Sequence, residues 1–269
     1  MTQFILGDYI FNKKRIGKGA FSTIYKAEHK YNKKIVAIKE IPFDNLGKVK
    51  ESIKTEFMII KNMDNKNIIK LHDVFFDNIN KNIYIVLDYH QKGDMSNFLN
   101  GKPLREIYAK KYMRQLSNGL EYLFNNKILH RDLKLQNLLI SDDLNLIITD
   151  FGFARYFDND NMLYTVCGSP LYMAPEILLK KKYNNKSDLW SVGIIFFEFL
   201  TGIKPFNAKN MIDLISIIKT QKIIIPYKYK SILSDNCTSL LINLLKKNPN
   251  DRIEWHDFFN HIWFSTNEI

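Results

Sequence analysis

The sequence predicts an α+β chain in two parts: a small lobe built on an antiparallel sheet with one main helix, and a larger helical lobe. Three observations predict it. Short β-rich runs punctuated by polar turns fill residues 9–87, helical spacing dominates after Gly93, and 269 residues at 46% hydrophobic composition supply a substantial core. The expected boundaries are 1–87 for the small lobe, 88–92 for a connecting hinge and 93–269 for the large lobe, within one domain.

In the small lobe the runs Tyr9-Ile10-Phe11, Thr23-Ile24-Tyr25, Ile35-Val36-Ala37-Ile38 and Ile83-Tyr84-Ile85-Val86-Leu87 read as strands. One helix interrupts them over residues 49–62, where Ile53, Phe57 and Ile60 fall at helical spacing, with Glu56 nearby. In the large lobe, helices are expected over residues 104–124, 188–200, 211–220 and 235–246. The apolar run 192–200 carries Glu198 and is too short to span a bilayer, so it reads as a buried core helix. No basic-then-apolar leader opens the chain, and no membrane span is expected.

Two cysteines, Cys167 and Cys237, give no disulfide framework and suit a reducing compartment, so the chain is expected in the cytoplasm, with the nucleus left open. A net charge of +11 invites nucleic acid, an acidic membrane or an acidic substrate as partner. The lysines are instead scattered among Asn and Ile, as in AT-rich coding sequence, and runs such as Lys180-Lys181-Lys182 are short. No interleaved basic and aromatic signature accompanies them, which argues against nucleic acid as a partner.

Three signals carry chemistry. Between two expected strands lies Ile16-Gly17-Lys18-Gly19-Ala20-Phe21-Ser22-Thr23-Ile24. Glycines at such a turn let backbone N–H groups approach a phosphate, although Ser22 stands at the third glycine position and the pair taken alone reads as an ordinary turn. Next, Lys39 closes Val36-Ala37-Ile38-Lys39, placed at the end of its strand. A buried ammonium needs an anionic partner, for which Glu56 is the candidate, and a strand-edge lysine reaching solvent is the alternative. The third is the series His130-Arg131-Asp132-Leu133-Lys134-Leu135-Gln136-Asn137, Asp150-Phe151-Gly152 and Ala174-Pro175-Glu176.

With these five motifs in order, the sequence resembles the eukaryotic protein kinases from about Tyr9 to Phe264. The resemblance implies a bilobal protein-kinase fold and transfer of the γ-phosphoryl group of ATP to a protein hydroxyl. It implies Mg²⁺, with Mn²⁺ as an alternative. Phosphoryl transfer asks a protein chiefly to position groups and neutralise charge. By the resemblance, Lys39 holds the α- and β-phosphates and is fixed by Glu56. Asn137 and Asp150 ligate the metal, Asp132 accepts the hydrogen bond of the attacking hydroxyl, and Lys134 neutralises the migrating phosphoryl. The nucleotide is expected against Ile16, Gly17, Gly19 and Ser22, with Ile24, Ala37 and Leu139 around the adenine. Asp88, Tyr89 and His90 would be the hinge, Leu87 the residue behind the base and Asp94 a carboxylate near the ribose. Residue by residue, these positions also read as core packing and a solvated acid.

Supports carry over as well. Leu71, Ile60, His130 and Phe151 match a stacked apolar spine, Asp188 matches the acid that anchors the catalytic loop, and Glu176 is expected to pair with Arg252. Lys134 and the platform from Gly168 through Ser169 to Glu176 have the serine/threonine form, and they argue against a small-molecule kinase. Retention of Lys39, Asp132, Asn137 and Asp150 argues against a scaffolding pseudokinase. Asp150-Phe151-Gly152-Phe153-Ala154-Arg155 and residues 167–176 look most like the autophagy-initiating, unc-51-like branch. No recruiting tail of that branch is expected here, so an autophagy role does not follow. Phe153 implies serine over threonine as acceptor, and Gln136 implies no strict upstream arginine. Thr165 is the expected regulatory site, phosphorylated by an upstream kinase or by the chain itself. Arg131, read as an unpaired cation, and Arg155 would receive the phosphate.

Overall fold

The structure, a computed structural model, describes residues 3–19, 22–42, 57–157, 163 and 165–265. It divides into two compact units, Met1–Gln91 and Lys92–Ile269.

The first unit holds a six-stranded sheet of β1 (Gln3–Leu6), β2 (Tyr9–Lys18), β3 (Thr23–His29), β4 (Ile35–Pro42), β5 (Leu71–Asp77) and β6 (Asn82–Asp88), ordered β1-β2-β3-β4-β6-β5. Every adjacent pair is antiparallel. Period-2 alternation sends Tyr25, Ala27, Val36, Ile38, Tyr84 and Val86 into one buried cluster. The opposite face carries Ile41, Ile83 and Ile85, with Leu71, Val74 and Leu87 packed beside them.

Two strands of this sheet were not foreseen. β1 is mostly exposed and gains its conformation from pairing with β2, where Phe4 faces Phe11. β5, Leu-His-Asp-Val-Phe-Phe-Asp, breaks alternation with polar residues and pairs with β6 through an irregular register. Of the expected helix over 49–62, residues 57–61 are helical, and residues 49–56, Glu56 among them, lie outside the described residues.

The second unit is built round the helix Ser187–Thr201, all of whose residues are buried. It ends at Gly202 with φ +73°, where an added Cβ would meet the Gly101 carbonyl oxygen at 2.3 Å, so only glycine fits. The long helix Glu106–Asn125 starts two residues later than expected, because Leu104 N–H donates to Phe199 O (2.7 Å) and Arg105 is extended. Helices Met211–Thr220 and Asp235–Leu244 are capped by the side chains of Asn210 and Ser234. Among the described residues, five helices of four or five residues, such as Pro175–Leu178 and Trp255–Phe259, are too short for periodicity to reveal. Two small antiparallel ladders complete the unit: β8 (Leu138–Ile140) with β9 (Leu146–Ile148), and β7 (Ile128–Leu129) with β10 (Arg155–Tyr156). Among the described residues no helix is long and apolar enough to cross a membrane.

Candidate active site

The sequence-predicted residues of the second unit converge on one loop. Asp188, at the start of the buried helix, accepts from the backbone N–H groups of His130 (2.8 Å) and Arg131 (3.0 Å). Burial pushes its carboxyl above the usual range, against the pull of those amides and of the Arg131 guanidinium. This grip holds Arg131 at φ +63°, a left-handed conformation that costs a side-chain-bearing residue energy and persists only where its surroundings enforce it. His130 Nε2 bonds Thr149 O at 3.0 Å while its Nδ1 faces the Asp132 N–H at 3.3 Å, which sets the tautomer with the proton on Nε2. Its ring packs on Phe151, centroids 5.0 Å apart.

That frame presents Asp132. The residue is buried, and donors engage both its oxygens: Lys134 Nζ (2.7 Å) and Asn137 Nδ2 (3.0 Å) on Oδ2, Ser169 Oγ (2.9 Å) on Oδ1. Lys134 Nζ also donates to Ser169 Oγ at 2.8 Å, closing a ring of charge-assisted bonds. Gly168 lets the platform come this close: at φ +102° a Cβ there would sit 2.5 Å from Arg131 O.

Asn137 and Asp150 are brought together by register. Leu138 pairs with Ile148, and Thr149 N–H donates to Asn137 O at 3.0 Å, so Thr149 lies across from Asn137 and Asp150 is the next residue, at φ +64°. An amide and a carboxylate are hard oxygen donors, and a pair of them fits a small divalent cation that fills its remaining positions with phosphate and water. Among the described residues no group of three or more His, Cys, Asp or Glu is placed to form a closed metal cage. Asp94 and Leu139 are neighbours across a β-bridge, and the Asp94 carboxylate caps the helix Met95–Leu99 through Asn97 N–H (3.0 Å).

In the first unit, the antiparallel register puts Ile24 opposite Lys39 and Ala37 opposite Leu87, so these four share one face of the sheet. Lys39 lies in mid-strand rather than at a strand end, since β4 continues to Pro42. Gly17 pairs with Ile24, Ile16 is exposed, and Gly19 N–H donates to Ser22 O (2.8 Å), so the hairpin itself uses that amide. Asp88 ends β6 instead of following it, and His72 and Lys34 beside it hold its carboxyl well below the usual range. Lys26 Nζ lies 5.0 Å from the Tyr89 ring, and His90 follows in the chain.

Arg131 corrects an expectation. It is not an unpaired cation: Nε donates to Phe153 O (2.7 Å) and a terminal nitrogen to Tyr183 Oη (3.3 Å), both neutral oxygens. Tyr183 in turn donates to Thr165 O at 2.8 Å, joining the exposed Thr165 to the loop that carries Asp132. Sequence reasoning missed Tyr183, which carries no motif. Arg155 is exposed on β10. The Glu176–Arg252 pair is present as expected, bidentate at 2.8 and 3.0 Å and buried.

A small antiparallel-sheet unit, a helical unit and a buried aspartate ringed by lysine, asparagine and serine together define a protein kinase. The chain belongs to that family: the protein kinase domain matches residues 10–264. It is 42% identical to the serine/threonine-protein kinase atg1 of Dictyostelium discoideum over 97% of this chain and 40% of that protein. It is 41% identical to the serine/threonine-protein kinase ATG1c of Arabidopsis thaliana, over 98% of this chain and 37% of that protein. To the serine/threonine-protein kinase ULK1 of Homo sapiens it is 35% identical, over 95% of this chain and 25% of that protein. These relatives match the unc-51-like branch, and the chain spans 40% or less of the length of each.

Proposed function

We propose that the chain is a serine/threonine protein kinase that transfers the γ-phosphoryl group of Mg-ATP to a protein serine hydroxyl. The observation that carries this reading is the buried Asp132 carboxylate, aligned by Lys134, Asn137 and Ser169. Asp132 accepts the hydrogen bond of the acceptor hydroxyl and orients its oxygen. Lys134, already at the carboxylate, supplies positive charge to the phosphoryl in flight. Mg²⁺ held by Asn137 and Asp150 would neutralise the phosphate oxygens. Lys39 binds the α- and β-phosphates, and Ile24, Ala37 and Leu87, on the same sheet face, meet the adenine. Nothing in this reading needs nucleic acid, and we place the chain in the cytoplasm or nucleus.

An oriented peptide array with the purified chain and radiolabelled Mg-ATP tests the acceptor. Serine is expected over threonine by several-fold, with no absolute need for upstream arginine, because Phe153 follows the Asp-Phe-Gly motif and Gln136 is engaged with Ser96 Oγ (3.1 Å). Label appearing on small hydroxyl compounds instead of peptide would sink the assignment.

Phosphorylation of Thr165 completes the reading. Its side chain is exposed and its carbonyl is already tied through Tyr183 to Arg131. A phosphate adds about −1.5 to −2 charges and can exchange the neutral partners of Arg131 for charge-assisted ones. Thr165→Ala is expected to lower kcat/KM for peptide at least about tenfold, a loss typical of a loop that is not tied down. Full activity in that variant would refute the switch, even were the threonine found phosphorylated by mass spectrometry.

A further inference from the structure

Between Asp213 and Asp235 the sequence has no acidic residue and four lysines, Lys219, Lys222, Lys228 and Lys230. Three large apolar side chains of the same stretch stand out in solvent: Ile224 is 73% exposed, Tyr227 84% and Ile232 75%. The backbone beneath them is held. Ile225 is buried, Lys247 Nζ donates to Gln221 O (2.7 Å) and Lys219 O (3.3 Å), and the short helix Tyr227–Lys230 closes on Pro226 O through Tyr229 N–H (2.9 Å). Ile224 therefore projects because its neighbour Ile225 anchors the chain.

We propose that this segment docks the second unit on an anionic lipid surface. Side chains exposed by more than 70% protrude, whereas a receptor for a peptide would present its apolar groups in a concave floor. An aliphatic and tyrosine tip among lysines, whose nearest acid in sequence is Asp235, three residues beyond Ile232, suits a headgroup layer: lysines meet lipid phosphates, and isoleucines and the tyrosine ring reach the acyl boundary. Isoleucine does not stack on bases, so an unpaired nucleic acid would use the lysines and leave the tip idle. The docking segment also adjoins the peptide platform, since Ile215, Ile218 and Lys219 of the helix Met211–Thr220 line a cleft of about 180 Å³ with Pro175, Leu178 and Leu179. The inference is independent of the kinase reading.

Flotation of the purified chain with vesicles tests it, comparing pure phosphatidylcholine with about one third phosphatidylserine. Binding is expected only to the anionic vesicles and weaker in about 0.5 M salt. Each lysine removed should cost roughly fivefold in partitioning, so K222E/K228E/K230E should lose at least about a hundredfold. The control Lys14/Lys66/Lys70→Glu, with the same change in net charge, should keep its binding within about fivefold. With every charge intact, I224S/Y227S/I232S should lose more than about tenfold, and Tyr227→Ser alone serves should the triple variant not fold. The proposal is overturned by absence of binding to anionic vesicles, by equal losses in the two lysine variants, or by undiminished binding once the apolar tip is removed.

Discussion

Asp132→Asn is expected to lower kcat by about two to four orders of magnitude while leaving the fold and the KM for ATP nearly unchanged. The geometry says why both parts hold. Asp132 Oδ2 accepts from two obligate donors, Lys134 Nζ and Asn137 Nδ2, and among the described residues Oδ1 accepts only from Ser169 Oγ. Asparagine can keep its oxygen on the obligate donors and turn its NH₂ toward Ser169, whose hydroxyl rotates to accept. The network survives, but the group facing the acceptor hydroxyl loses its charge and its basicity. Steady-state kinetics with a peptide acceptor, together with a thermal melt, reads the two effects separately. Normal turnover in Asp132→Asn would remove Asp132 from the reaction.

Arg252→Ala is expected to destabilise the second unit by about 3–5 kcal/mol, a large share of the 5–15 kcal/mol that holds a typical domain. The Arg252 side chain is fully buried, grips Glu176 with two nitrogens and also donates to Lys186 O (2.7 Å) and Lys246 O (3.1 Å). Alanine leaves the Glu176 carboxylate buried without its partner and two carbonyls without their donor. Arg252→Lys should recover only part of the loss, because an ammonium cannot reproduce the planar two-nitrogen grip. The double change Glu176→Leu with Arg252→Met should lose less than Arg252→Ala, since the penalty comes from the orphaned charge. Urea titration followed by tryptophan fluorescence is well matched, because Trp190, Trp255 and Trp263 all lie in the second unit. A loss below about 1 kcal/mol in Arg252→Ala would show that the pair contributes no more than an exposed one.

The long or strongly alternating elements were legible from sequence. The buried helix Ser187–Thr201 and the strands β3, β4 and β6 announce themselves through unbroken apolar runs or clean alternation. β1 and β5 do not, because their conformation comes from a partner strand rather than from their own pattern. In the site, the residue types demanded by the chemistry stand at fixed spacings, so Asp132, Asn137 and Asp150 could be named as candidates. What their surroundings do with them could not. Nothing in the sequence says that Gly19 N–H closes a hairpin, that Asp94 caps a helix, or that Arg131 already bonds Phe153 O and Tyr183. Those are outcomes of tertiary geometry, and Tyr183, fifty-two residues beyond Arg131, has no local signal at all.

The grip of Asp188 on the loop that carries Asp132 and of Arg252 on Glu176 sets an order of events during synthesis. In the first unit, β1 to β4 pair with their immediate neighbours in sequence, so that sheet can begin to form while the rest is still being made. The second unit cannot. The His130 amide waits for a carboxylate 58 residues downstream, and Glu176 waits for a guanidinium 76 residues downstream. At about 5–20 residues per second, the latter interval lasts about 4–15 s. For that time the nascent second unit holds an acid its interior cannot accommodate, and the loop that carries Asp132 likewise waits for Asp188 before it takes its final form.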